Sequence, residues 1–356
     1  MSWSRRGWLV AFAVCISAVC SSTSVAEDLA WPDLNRGGAV QGGGDGDAAV
    51  VVGIDGYLLV SPIPGAEDNA RDWFLYLRKV RGVPGGSIHL LLGREATRES
   101  IAKQVRAAAT QVKPGGTLWF IFVGHGLPAQ DGVDGLLVGV DAQATVESIA
   151  ARSLSRRELM RVVGRGRQAQ SILVFDTCFS GRGSGGDAVV KGLMATVPVT
   201  SDDLRTDTAV IFTAGSSTQF AGPLPGARRP ALSYLVLGAL RGWGDANGDG
   251  AVTARETRDY VREVLTRLPT VSSQIPELWG DNGAVLSRGT ELEAGPDVDG
   301  LVLAARRSRA VRPGVTLDRG ERIQNDLTDD KGFVFVETTP KGATIFLNGE
   351  EIGPAP

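Results

Sequence analysis

Apolar runs alternate along the chain with stretches of helical spacing. Ala48–Ile54 (AAVVVGI), Ser87–Leu92, Thr117–Val123 (TLWFIFV), Ser171–Phe175 (SILVF) and Ala209–Ala214 each read as a strand. Continuous apolar runs of this length suit strands covered on both faces. Between them, Asp68–Val80 places Trp73, Leu77 and Val80 on one helical face. Thr97 stands where it can cap a helix reaching Val112, and Ser155 precedes Glu158 by the spacing of a capping box. Pro114-Gly115-Gly116 marks a turn. This alternation predicts an α/β fold with a parallel, doubly wound sheet, flanked by helices, over residues 48–290.

The flanks read differently. Met1–Ala26 has Arg5 and Arg6, then the uncharged apolar run Trp8–Cys20, then small residues before Glu27, the layout of a secretory signal. The run is short for a membrane span, so export to the periplasm, cell surface or medium is expected, with no span after cleavage. A retained anchor is the alternative. A twin-arginine reading rests on Ser4–Leu9, and a lipoprotein reading would need Cys20 behind the bulky Val19. Residues 27–47 are rich in Gly and Asp and read as a flexible lead-in. Residues 291–331 read as a linker, and 332–356 as two alternating strands joined by Thr-Pro-Lys-Gly.

Composition narrows the function. At 43% hydrophobic and 22% charged, the chain is neither disordered nor a collagen-like repeat. Signal cleavage would take two arginines from the 37 basic groups and none of the 40 acidic ones. The net charge of −3 then becomes more acidic, which disfavours nucleic acid as a partner. Cleavage would also take two of the three cysteines and leave Cys178 alone. An intrachain disulfide is then impossible, and the remaining thiol is buried and inert, paired between chains, or a nucleophile.

Two polar groups sit just past the ends of two consecutive buried strands, Gly124-His125-Gly126 and Asp176-Thr177-Cys178. In open α/β sheets that edge is where ligands bind. A Cys thiolate there can attack, and a nearby His can take the proton and return it to the leaving group. An amide substrate also needs donors for its developing oxyanion. The N–H of Gly126, unshielded by a side chain, and that of Cys178 are the candidates. His89, inside SIHLLLG, reads as non-catalytic. A cysteine phosphatase would place an Arg six residues after its Cys, where this chain has Ser184. One Cys and two His in unrelated segments lack zinc-ligand spacing.

FVGHG (122–126) and FDTCFSG (175–181) resemble the catalytic His and Cys motifs of caspase-like cysteine peptidases, in particular the bacterial metacaspase-like branch. GAEDNARDW (65–73), GLLVGVDA (135–142) and the stretch 214–242 extend the resemblance over roughly 48–286. It implies a caspase-hemoglobinase fold, with His125 as general base and acid and Cys178 as nucleophile. It also implies protein or peptide substrates cut after Arg or Lys, read by acidic pocket residues. Asp176 matches one of these. The other falls at Asn69, because the order here is Asp68-Asn69-Ala70. A second carboxylate would require Asp68 to turn inward. Arg182, Lys191 and Arg205 follow Cys178, so self-cleavage is expected there. The alternative is a non-catalytic surface or scaffold module that keeps the fold.

Residues 245–256 fit the EF-hand loop pattern. Asp245, Asn247 and Asp249 hold the first, third and fifth ligand positions, and Gly250 the sharp turn. Ala251 offers its carbonyl, Thr253 can act through water, and Glu256 can bind bidentately, so calcium is the expected cofactor. The C-terminal segment GFVFVETTPKGATIFLNGEEIGPAP resembles the start of a PEGA domain. A lone hairpin is marginal, so either further strands follow or the segment docks elsewhere.

Overall fold

The computed structural model describes residues 30–35, 41–58, 60–131, 133–177, 179, 208–214, 223–268, 276–289, 295–310, 344–347 and 350–354. The chain divides into two units, Met1–Ala310 and Val311–Pro356. In the first, β1 (Ala48–Gly53) leads to α1 (Ala66–Leu75), which widens into a π turn at Tyr76–Arg81. Next come β2 (Ile88–Leu92), α2 (Arg98–Gln111), β3 (Thr117–Val123), β4 (Gly126–Pro128) and β5 (Gly135–Val138). Then follow α3 (Val146–Ala151), β6 (Ser153–Ser155), α4 (Arg156–Val163), β7 (Gln170–Asp176) and β8 (Ala209–Thr213). The unit ends with α5 (Ala231–Gly238), β9 (Ala251–Thr253), α6 (Ala254–Arg267), β10 (Glu277–Trp279), β11 (Val285–Arg288) and α7 (Val298–Ala310).

The central sheet has the order β10-β8-β7-β3-β1-β2. Its strands are parallel except for β10, which pairs antiparallel with β8 at one edge. Alternate strand positions feed two cores, one on each face. Val51, Trp119, Ile121, Val174 and Phe212 pack with Trp73 of α1, Leu235 of α5 and Val264 of α6. Val50, Phe120, Phe122, Phe175 and Ile211 pack with Ile101 and Val105 of α2 and Leu159 of α4. Both faces are buried, which is why the strands read as unbroken apolar runs. The molecule is a mixed α/β protein with a mainly parallel sheet between helical layers.

Local signals are met at the helix starts. Thr97 and Ser155 accept the N–H groups of Ser100 and Glu158, at 3.2 and 3.0 Å. The Glu158 carboxylate does not complete a capping box and instead pairs with Arg98 at 3.0 Å. Thr253 and Glu256 do complete one at the start of α6.

Two segments differ from the sequence expectation. The lead-in is partly built into the domain. The buried Asp47 carboxylate accepts the N–H of Thr117 at 2.8 Å, the Trp119 indole N–H at 3.0 Å and Arg81 Nε at 2.9 Å. Leu34 is buried, and the Trp31 indole donates to the Pro225 carbonyl at 2.8 Å. The expected linker contains α7, because Val298, Leu301 and Val302 form an apolar face that is buried. In the second unit, β12 (Thr344–Leu347) pairs antiparallel with β13 (Glu350–Pro354). Residues 332–343, with the first expected strand and its Thr-Pro-Lys-Gly turn, lie outside the described ones.

Among the described residues, no helix is long and apolar enough to cross a membrane. Residues 1–29, which carry the signal pattern, lie outside them.

Candidate active site

The register of the central sheet sets Val123 of β3 level with Asp176 of β7. The ladder runs one step further, with the Gly124 N–H donating to the Asp176 carbonyl at 3.3 Å. His125 and Cys178 each follow two residues after that matched pair. Cys178 lies outside the described residues, as do 180–207 with the self-cleavage candidates. Its neighbours Thr177 and Phe179 are both buried.

His125 is held from two sides by the loop that follows β1. Its Nε2 lies 2.7 Å from the Ser61 carbonyl and 3.4 Å from the Ser61 hydroxyl. A carbonyl can only accept, so Nε2 carries the hydrogen, and in the neutral ring Nδ1 keeps its lone pair. The His125 backbone N–H donates to the Tyr57 hydroxyl at 2.7 Å, and the two rings lie 4.8 Å apart. Gly124 makes this approach possible. A Cβ there would stand 2.6 Å from the Tyr57 oxygen and 3.0 Å from the Phe122 ring. Burial holds the His125 pKa below its ordinary 6.5, against the opposing bond to Ser61. The ring is therefore a neutral base at pH 7. Gly126 opens β4 opposite Leu137, and the His125 carbonyl accepts the Val138 N–H at 3.0 Å.

The residue after Cys178 is wedged in place. The Phe179 ring packs edge-on to Phe175 at 6.3 Å and lies 5.4 Å beneath the Arg156 guanidinium. Gly135 makes room for it, since a Cβ there would meet the ring at 2.7 Å. Arg156 opens α4, is 1% exposed, and lies 4.0 Å from Asp134.

Asp176 closes β7 with its side chain 3% exposed. Its Oδ2 accepts both the backbone N–H and the hydroxyl of Ser233 in α5, at 2.7 and 2.6 Å. Its Oδ1 is buried and has no hydrogen-bond partner among the described residues. Desolvation pushes its pKa up to about 6, against the two Ser233 bonds that lower it. Asn69 is drawn into the same cluster. Its Nδ2 donates to Ser233 Oγ and to the Pro230 carbonyl, both at 2.8 Å, and its Oδ1 accepts Arg229 Nε at 2.8 Å. Arg229 also pairs with Asp72. Asp68 points the other way, 64% exposed and paired with Arg71 at 3.2 Å. His89 bonds Gln111 at 2.8 Å, on the far strand β2, away from these groups.

Ser61, Tyr57 and Ser233 carry no spacing signal that would single them out. Ser233 has one trace in the sequence, as the lone hydroxyl inside the otherwise apolar turns of ALSYLVLG, apart from a tyrosine.

The candidate calcium loop is a tight acidic turn. Asp245 accepts N–H bonds from Gly248 and Asp249 on Oδ1 and from Gly250 on Oδ2, at 2.9 to 3.2 Å. Asp249 accepts the Ala251 N–H at 2.8 Å, and Gly250 takes the left-handed φ of 78° that the turn requires. The Glu256 Oε2 accepts the N–H and hydroxyl of Thr253, at 2.9 and 2.8 Å. Among the described residues, no group of three or more His, Cys, Asp or Glu side chains is placed to hold a metal ion.

No family model and no curated protein matches the chain. Among solved structures it is similar to protein GSU0716 of Geobacter sulfurreducens at 17% identity. That match covers 69% of this chain and 99% of that one, with a TM-score of 0.46. It is also similar to Raptor of Chaetomium thermophilum at 11% identity, over 76% of this chain and 29% of that one, with a TM-score of 0.34.

Proposed function

We propose that the chain is an exported cysteine endopeptidase with a caspase-like fold, using His125 and Cys178 as its catalytic dyad. The observation that carries the reading is the bond from His125 Nε2 to the Ser61 carbonyl at 2.7 Å. It leaves Nδ1 as the basic nitrogen on a buried, uncharged ring, just past the end of the strand that runs beside the one leading to Cys178. Nδ1 takes the thiol proton as Sγ attacks the peptide carbonyl carbon. The oxyanion that develops is met by the N–H groups of Gly126 and Cys178. His125 then protonates the leaving amine as the C–N bond breaks, which leaves a thioester on Cys178. Water, deprotonated by His125, hydrolyses that thioester and restores the thiol.

Asp176 serves as the acidic residue of the specificity pocket. Its unpartnered Oδ1 supports this role, because a buried acceptor without a donor is costly until a cation or donor arrives. Asn69 and the outward Asp68 supply no second carboxylate there.

Calcium is proposed at the 245–256 turn. The donors are all oxygens, which suits a hard cation. Asp245, Asn247, Asp249, the Ala251 carbonyl, Thr253 and Glu256 would hold it. Calcium would supply a structural crosslink between the turn and α6.

A peptidyl electrophile that labels Cys178 in the wild type, and fails to label the His125→Ala variant, supports the dyad. A thiol that stays unlabelled while its fold is intact favours the non-catalytic scaffold reading.

A further inference from the structure

Building on the peptidase reading, we infer that Asp176 offers a substrate cation one carboxylate oxygen, Oδ1, and so selects a lysine ammonium over an arginine guanidinium. Each carboxylate oxygen has two lone-pair positions. Both positions on Oδ2 are used, by the N–H of Ser233 at 2.7 Å and its hydroxyl at 2.6 Å. Oδ1 is buried and has no partner among the described residues.

The Ser233 hydroxyl is held in that orientation by its neighbours. Its oxygen accepts Asn69 Nδ2 at 2.8 Å, so its hydrogen is left for Asp176. The Asn69 amide cannot flip. Its Oδ1 faces Arg229 Nε, which only donates, and its Nδ2 faces the Pro230 carbonyl, which only accepts. Arg229 is fixed in turn against Asp72 and over the Tyr234 ring, at 5.2 Å. An aspartate at position 69 would set a carboxylate oxygen against the Pro230 carbonyl. The amide at 69 is therefore a positioning group that spends Oδ2 and leaves Oδ1 as the acceptor on offer.

A guanidinium gains most from two parallel bonds to both oxygens of one carboxylate, whereas an ammonium is a point charge served by one. With Asp68 turned to solvent beside Arg71 and an amide at position 69, neither of these two residues supplies a second carboxylate to restore the fork.

The test measures binding by calorimetry to the Cys178→Ala protein, which does not depend on turnover. Two matched peptides are used, differing in Lys or Arg before the scissile bond. The lysine peptide should bind at least about tenfold tighter, the scale of one charge-assisted hydrogen bond. Adding Ser233→Ala, which frees one position on Oδ2, should collapse or invert that ratio. Equal or tighter arginine binding when Ser233 is present, a ratio unmoved by Ser233→Ala, or no binding of either peptide overturns the inference. If Ser233→Ala does not fold, the ratio with Ser233 present decides alone. Wild-type turnover of the same peptides separates the two readings. Lysine-selective binding without turnover sinks the peptidase and keeps the selectivity, and turnover that favours arginine does the reverse.

Discussion

The backbone carbonyl of Ser61 lies 2.7 Å from Nε2 of His125, and this contact decides which ring nitrogen can act as a base. Nitrogen-detected NMR at pH 7 should find His125 neutral with its hydrogen on Nε2. Burial keeps the ring pKa below 6.5. The base should therefore remain free to lower pH than an exposed histidine would. A lowered folded pKa means that stability is lost as pH falls through that region, because the unfolded chain binds the proton more readily. Replacing His125 with Ala should lower kcat/KM by about 10²- to 10⁴-fold. An Nδ1-protonated ring would contradict the assignment.

Tyr57 holds the His125 backbone through its hydroxyl. Tyr57→Phe leaves the buried His125 N–H without its acceptor, at a cost of about 1–3 kcal/mol. Gly124→Ala should be at least as damaging, because its Cβ would meet the Tyr57 oxygen at 2.6 Å. Denaturant titration of both variants checks this. A Tyr57→Phe protein of unchanged stability would show that water replaces the hydroxyl.

Asp176 should leave a mark on stability against pH. Its pKa is raised to about 6 in the folded protein by desolvation. A raised carboxyl pKa contributes stability that is complete at low pH and is lost as pH rises through about 6. Asp176→Asn removes that loss, so the variant should gain on the wild type between pH 4 and 8 by about 3 kcal/mol. A stability difference that does not vary with pH would contradict the buried, ionising carboxylate.

The strands β1, β3 and β7 were legible in the sequence because both faces of the sheet are covered and each strand carries an unbroken apolar run. The helix starts at Thr97 and Ser155 were legible because capping is a local bond. The site was legible only in part. His125 and Asp176 stand at strand ends, but Ser61 lies 64 residues from His125 and Ser233 lies 57 from Asp176. No short-range spacing reports such pairings. The lead-in and α7 were misread for a related reason. Each is anchored by few groups, Asp47 and Leu34 in one and Val298, Leu301 and Val302 in the other. Their Gly-, Asp- and Arg-rich composition hides those anchors.

Asp47 gives the sharpest test of the ordered lead-in. Its carboxylate joins Arg81, Thr117 and Trp119 in a buried cluster. Asp47→Ala leaves three donors without their acceptor and should cost about 3 kcal/mol or more in denaturant titration. A loss below about 1 kcal/mol, the range of exposed ion pairs, would mean that the lead-in is not packed against the sheet.

Calcium should raise the melting temperature of the wild type and leave Asp245→Ala unmoved. The stabilisation should grow with the logarithm of free calcium above the dissociation constant. Equal melting of the two proteins with and without calcium would argue for a turn held by its own backbone bonds.

Hydrolysis itself is the most direct measurement. Purified protein is given fluorogenic peptides carrying Lys, Arg, Asp or Asn before the scissile bond, with calcium present, beside matched Cys178→Ala and His125→Ala proteins. The wild type should cleave the basic peptides, and both variants should fall to background while keeping the wild-type melting temperature. Cleavage that survives Cys178→Ala, or a folded wild type that cleaves none of the four peptides, would contradict the His125–Cys178 peptidase.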